Sequence, residues 1–249
     1  MTARKKWMDG RLPFLIGYVP SDLRKEIVKS NSSKKLAHYE IATDEKLICD
    51  TQVSPGLYYF GGGIIIMGLF FSIIDYENFI LKMSPFLAIG IFFFVLAYFI
   101  PKKEIIFNRE HSLITYPDWF FMKPHTIPFN ELKIFWSSTG GVSGSIGQRL
   151  VTAPPNSSRA IELTLHPGLY DHSWSLIVWY MDKNRPLPPG SAFDEYREKD
   201  FERRKAEGFP PPLFPSRFPI PEATPEQQAE RNRYWRDEDY FGSSDTAWY

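Results

Sequence analysis

The sequence predicts a membrane α-hairpin joined to an α+β soluble part. In order, it reads as two transmembrane helices, a small antiparallel β-sandwich or partly closed barrel, and C-terminal helices. Three observations carry this. Two charge-free runs of 18 residues, 57–74 (LYYFGGGIIIMGLFFSII) and 83–100 (MSPFLAIGIFFFVLAYFI), stand close together. Short apolar runs rich in β-branched and aromatic residues follow Lys103, separated by turn residues. From Pro186 onward, helix start and stop signals and closely spaced prolines replace the strand pattern.

Composition narrows the function classes. The chain has 249 residues, 29 basic against 29 acidic, so its formal net charge is zero. Its mean hydropathy is negative, which excludes a chain built mainly of membrane spans. A nucleic-acid partner is not expected, because displacing counterions from phosphates needs a net basic face. Cys49 is the single cysteine, so there is no intramolecular disulfide and no cysteine-based zinc site. That usage fits soluble parts that face a reducing compartment. The start, MTARKKWMDGRLPFLIGYVPSD, has too short an apolar run and no A-x-A-like site for a cleaved signal.

At about 1.5 Å per residue, each charge-free run spans roughly 27 Å, close to a hydrocarbon core of about 30 Å. Tyr58 and Tyr59 open the first and Tyr98 closes the second, as expected of interfacial aromatics. Neither run has a polar stripe at helical spacing, so two buried core helices are the weaker reading. The connector holds Asp75 and Glu77 against Lys82, while Lys102, Lys103 and Arg109 follow the second run. By the positive-inside tendency both termini are cytoplasmic and the connector lies outside. Gly61, Gly62, Gly63, Gly68 and Ser72 read as a close-packing face, because no ionisable group accompanies them to build an ion site.

The rest divides by character. Residues 1–56 form a cytoplasmic lead-in, with a short helix after Ser21-Asp22 and a strand-like HYEIATDEKLICDTQV. Residues 57–100 are the hairpin. Within 101–185, EIIFN and SLITYP pair across a charged turn; DWFFM, HTIPF, LKIFWSS, AIELTLHP and SWSLIVWYM continue as strands. Residues 186–249 hold a helix capped by Ser191 and stopped at Gly208, a proline-rich strap, and a second helix from Thr224-Pro225 to about Trp235. The strap FPPPLFPSRFPIPE reads as a belt anchored by Phe209, Leu213, Phe214 and Phe218. A polyproline ligand for a partner is the alternative. The end, RDEDYFGSSDTAWY, is a flexible tail or a short contact motif.

No catalytic, cofactor-binding or metal-ligating residue is assigned. His38, His111, His125, His166 and His172 lack the spacing of a helical metal site. The loop GGVSGSIGQR over 140–149 lacks the Lys-Ser/Thr ending of a P-loop, and misses G-x-S-x-G because Ser145 holds the last glycine position. It reads as an interstrand loop; whether 140–147 binds anything is open. Asp194, Glu195, Glu198 and Asp200 read as a solvated helix face.

PKKEIIFNREHSLITYP, followed by W-F-x-x-x-x-x-x-I-P-F-N-E-L from Trp119 to Leu132, resembles bacterial membrane proteins that carry a small PH-like cytoplasmic β-domain. The block FPPPLFPSRFPIPEATPEQQAERNRYW is similar to uncharacterised proteobacterial two-span inner-membrane proteins, some of them found near type VI secretion toxins. The resemblance covers about 50–235, implies a PH-like β-domain and a bacterial inner-membrane setting, and supplies no catalytic residues to carry over. The expected function is non-enzymatic: the cytoplasmic β-domain binds a protein partner, with an accessory or immunity-like role in type VI secretion or contact-dependent competition. A membrane-surface or lipid-sensing module in envelope signalling is the alternative. The expected partners are the lipid bilayer and a protein, with no nucleic acid and no cofactor.

Overall fold

The computed structural model describes residues 14–20, 39–50, 54–74, 79–100, 104–118, 122–140, 146–152, 161–162 and 170–242. Two compact units divide the chain. One is drawn from Met1–Cys49, Ile106–Thr115 and Thr126–Tyr249; the other from Asp50–Ile105 and Tyr116–His125.

The second unit is built on helices α1 (Ser54–Ile74) and α2 (Phe79–Phe99), 21 residues each. Both are long and apolar enough to cross a membrane. Only 17% of the α1 window and 6% of α2 are buried, the reverse of core helices in a water-soluble protein. The helices meet antiparallel through small residues. A Cβ added to Gly61 would lie 3.1 Å from the Gly90 carbonyl oxygen, and one on Gly68 would lie 2.4 Å from Phe86 Cβ. Gly61 and Gly68 are one heptad apart, as are the buried Gly90 and Ala97 of α2. Gly62 and Gly63 face open space, so the packing face expected of the glycine triplet reduces to its first member. Pro85 inside α2 cannot donate to the Leu81 carbonyl, and Ser84 Oγ donates there instead at 3.0 Å.

The five strands β1 (Tyr39–Ala42), β2 (Lys46–Asp50), β3 (Glu104–Asn108), β4 (Leu113–Tyr116) and β5 (His125–Pro128) form one open antiparallel sheet in chain order. Strands β6 (Ile134–Gly140), β7 (Ile146–Thr152) and β8 (Ile161–Glu162) form a second. Alternate burial along β3 and β4 matches the period-2 pattern of EIIFN and LITY. Local chemistry sets the turns. Thr43 Oγ1 accepts from the Glu45 and Lys46 amides after β1, and Asn108 Oδ1 accepts from the His111 amide after β3. The loop expected over 140–149 is shorter than that: Gly140 ends β6 and Ile146–Arg149 open β7, the two strands pairing from Ile134↔Thr152 to Gly140↔Ile146, while 141–145 lie outside the described residues.

Several expectations are corrected. Of the two packages expected, a small sandwich or a partly closed barrel, the barrel is not formed by the described strands, which make two open sheets. SWSLIVWYM is not a strand: it lies in helix α3 (Tyr170–Met181). Every residue from Ser173 to Met181 is buried, so no face needed to be polar and the helical period is invisible. The helix expected after Ser191 is a 3-10 turn, Ser191–Tyr196, followed by α4 (Arg197–Ala206). Gly190 holds the cap position without a side-chain bond. Helix α5 (Pro225–Arg231) starts as expected, with Thr224 Oγ1 accepting from the Gln227 amide, but ends four residues before Trp235. The helix expected after Ser21 and the core of DWFFM lie outside the described residues, as does AIELTLHP apart from β8.

Helix α3 is the hub of the first unit. Ser175 Oγ accepts from the Gly17 and Tyr18 amides, fixing the N-terminal segment. The Tyr180 hydroxyl donates to the Thr43 carbonyl at 2.9 Å, fixing the β1–β2 turn. Trp174, Phe14, Phe129 and Phe214 stack around its first turns. The strap is fastened behind it. Asp182 accepts from the Leu213 and Phe214 amides, Asn184 Nδ2 donates to the Pro211 carbonyl, and Arg185 donates to that of Phe214. Phe209 is buried and Phe214 and Phe218 half-buried, as a belt requires, whereas the Leu213 side chain is exposed and only its backbone amide holds the strap. Ser216 also bridges to Ile16 and Phe241, so both ends of the described chain close on the strap.

Candidate functional site

One cleft of about 180 Å³ opens on the first unit, lined by Asp44, Glu45, Arg109, Glu110, Lys183, Lys199 and Arg203. Its walls are two β-turn tips, Asp44-Glu45 and Arg109-Glu110, with the turn after α3 and one face of α4. Backbone bonds fix the tips together, since the Arg109 amide donates to the Glu45 carbonyl at 2.8 Å. Lys199 Nζ reaches Asp44 Oδ2 at 2.8 Å and Glu45 Oε1 at 3.3 Å, and these carboxylates raise its pKa. Lys183 Nζ lies 3.4 Å from the Glu110 carbonyl, and Arg203 spans Glu207, Asp200 and the Lys183 carbonyl.

The floor is a buried chain of alternating charges. Arg109 donates to Asp200 and to the carbonyls of Tyr180, Asp182 and Arg185, so one guanidinium closes the C-terminal end of α3. Asp200 Oδ2 accepts from Arg204 Nε at 3.0 Å, and Arg204 holds both oxygens of Glu222 at 2.7 and 2.8 Å. Arg231 lies 3.6 Å from Glu222 and donates to Asp237, which also accepts from Arg185; Arg185 lies 3.3 Å from Asp182. Trp235 covers the far end, its ring centroid 4.1 Å from the Arg231 guanidinium. Four arginines thus face four carboxylates, all of them buried.

Position in this chain decides protonation. Burial alone would raise the Asp200 carboxyl, but Arg109, Arg204 and Arg203 together hold it below the usual carboxylate range. For Asp182 burial prevails over Arg185 and three backbone amides, and its carboxyl is pushed up. Burial likewise pushes up the Cys49 thiol and the Tyr180 hydroxyl, leaving both neutral.

Asp200, expected on a solvated face, is therefore corrected to a buried junction of three arginines. Asp194 pairs with Arg197 on the surface, as that expectation required. His125 Nε2 lies 2.8 Å from Asp118, and His172 Nδ1 lies 3.2 Å from the Val19 carbonyl; His38 and His166 lie outside the described residues. Among the described residues no three His, Cys, Asp or Glu side chains converge as metal ligands. The cleft thus presents charges of both signs, from Asp44, Glu45 and Glu110 and from Lys183, Lys199 and Arg203. Sequence reasoning missed it because its residues lie in four separate segments. The run MDKNRP, with Asp182, Asn184 and Arg185 all buried, offered one local signal.

Comparison of the chain with family models, with curated proteins and with solved structures gives no match.

Proposed function

We propose that this chain is a two-span inner-membrane protein that holds a non-enzymatic, partner-binding unit on the cytoplasmic face. One observation supports the topology above others. The first unit takes residues from both sides of the α1–α2 hairpin, so both flanks share one compartment, as two crossings require. The almost uncovered apolar surface of the hairpin supplies a reason for a bilayer. The mixed-charge cleft is the surface assigned to the protein partner, since rim charges of both signs select a complementary partner. An accessory or immunity-like role in contact-dependent competition is the sharpest form of this reading.

The test has two arms. Alkaline carbonate leaves the full chain in the membrane fraction; release without detergent rejects the anchor. A tagged full chain purified in detergent retains one protein in stoichiometric amount, and Lys183→Glu with Glu110→Lys abolishes its recovery. Recovery of lipid alone, or of the same protein by the charge-reversed variant, rejects the cleft as partner surface.

A further inference from the structure

We propose that the cleft takes a partner segment carrying an acidic and a basic side chain next to each other, the acid meeting Lys183 and the base meeting Glu110. This rests on the reading of the cleft as the partner surface and adds the chemistry that the surface selects. Only a charge not already engaged within the chain can discriminate a partner. Lys199 is held by Asp44 and Glu45 at 2.8 and 3.3 Å, Arg203 by Asp200 and Glu207 at 3.0 and 2.9 Å, and Arg109 by Asp200. Two groups of the lining are left. Lys183 Nζ donates to the main-chain carbonyl of Glu110 at 3.4 Å, and among the described residues no carboxylate lies within ion-pair distance of it. The Glu110 carboxylate, exposed on its turn, has no cation among them either.

Both groups stand on fixed backbone. The Lys183 amide donates to the Met181 carbonyl at 3.1 Å, and the Lys183 carbonyl accepts from Arg203 at 2.6 Å. The turn that carries Glu110 closes through the Ser112 amide on the Arg109 carbonyl, and the Arg109 amide ties it to Glu45. A couple of opposite charges on rigid turns costs its own chain little ordering when a partner binds. It rewards charges reversed in the same order, whereas a uniformly acidic or basic surface meets one like charge and loses affinity. The volume, about 180 Å³, is smaller than one turn of an α-helix about 10 Å across, so the ends of side chains enter and no folded element does. A polyanion is not favoured, because Asp44, Glu45 and Glu110 balance Lys183, Lys199 and Arg203 on the rim.

The full chain, purified in detergent with the protein it retains, is treated with a water-soluble carbodiimide, which joins a lysine amine to a carboxylate in direct contact. Lys199 and Asp44, 2.8 Å apart, form an internal cross-link that reports the reaction. Peptide mass spectrometry is expected to join Lys183 to an Asp or Glu of the retained protein that has a Lys or Arg beside it. Lys183→Met and Glu110→Gln each lower recovery several-fold, and Lys183→Arg restores part of it. Lys205→Met, outside the cleft, changes nothing. Recovery also falls as salt rises from about 0.1 M to about 1 M, where the Debye length shrinks from about 10 to about 3 Å. A protein retained by wild type and lost on charge reversal of Lys183 and Glu110, yet never joined to Lys183 or insensitive to Glu110→Gln, overturns the pairing and leaves the cleft as partner surface. Retention of no protein by wild type, or of the same protein by the charge-reversed chain, overturns the reading of the cleft, and the pairing with it.

Discussion

Arg109 and Asp200 form an ion pair with both side chains withdrawn from solvent, 2% and 1% exposed, and it ties the β3–β4 turn to helix α4. The same guanidinium closes the end of α3, so one side chain joins a sheet, the hub helix and the strap-bearing helix.

Removing it takes one of three arginines from Asp200 and the side-chain donor from three carbonyls. Arg109→Ala leaves Asp200 and three carbonyls short of a donor, and is expected to cost about 3–5 kcal/mol, the range for breaking a buried pair. Arg109→Lys keeps the charge but lacks the planar fork needed to serve several acceptors at once, so it recovers little of the loss. Denaturant unfolding of the detergent-purified chain measures both. A lysine variant within about 0.5 kcal/mol of wild type would mean that charge alone, not the fork, matters here.

The Asp200 carboxyl gives a pH dependence of definite sign. Its folded pKa lies below the unfolded value of about 3.9, so its contribution is complete above that value and is lost as pH falls through the folded one. Asp182 acts oppositely, because its raised folded pKa favours the folded state as pH falls. Asp200→Asn should therefore be much less stable than wild type at pH 7, and the gap should narrow below about pH 4. Melting temperatures of the two chains between pH 7 and 3 check this; a gap that stays constant or widens contradicts it.

These two sites also show what could be read in advance. The two long apolar helices were legible because length and apolarity are properties of contiguous residues, and β3 to β6 because alternation and turn residues are local signals; β7 was not, since its first residues, IGQR, read as part of the glycine-rich loop. The hub helix was not, since burial on every side erased its period. Asp200 was misread for a related reason. In REKDFERRKA it looks like one charge among many, and only the fold brings Arg109, 91 positions earlier, against it. Long-range ion pairs leave no periodic trace. The glycine triplet was half legible: sequence located the packing face, but only the helix crossing distinguishes Gly61 from its two neighbours.

That distinction is measurable. Gly68→Val requires Phe86 to move, because even a Cβ would lie 2.4 Å from the Phe86 Cβ. Overpacking of this kind costs about 1–3 kcal/mol. Gly63→Val meets nothing within 4 Å of its new Cβ and should leave the hairpin intact. The helical circular-dichroism signal followed through a thermal scan in detergent separates the two. Equal behaviour would mean that Gly68 does not lie at the crossing.

The last prediction concerns the place of the hairpin in the sheet. Strands β2 and β3 are neighbours, yet α1 and α2 stand between them in the chain. The hairpin thus occupies the position of a β-turn, and Cys49 and Phe107 on either side are buried in a unit that holds its own hub, strap and ion network. Replacing residues 51–103 by a two-residue Asn-Gly turn, the preferred closure of adjacent antiparallel strands, should give a chain that stays in solution without detergent. It should unfold cooperatively and remain as sensitive to Arg109→Ala as the full chain. A product that aggregates, or melts without a transition, would show that residues 51–103 contribute to the fold of the first unit.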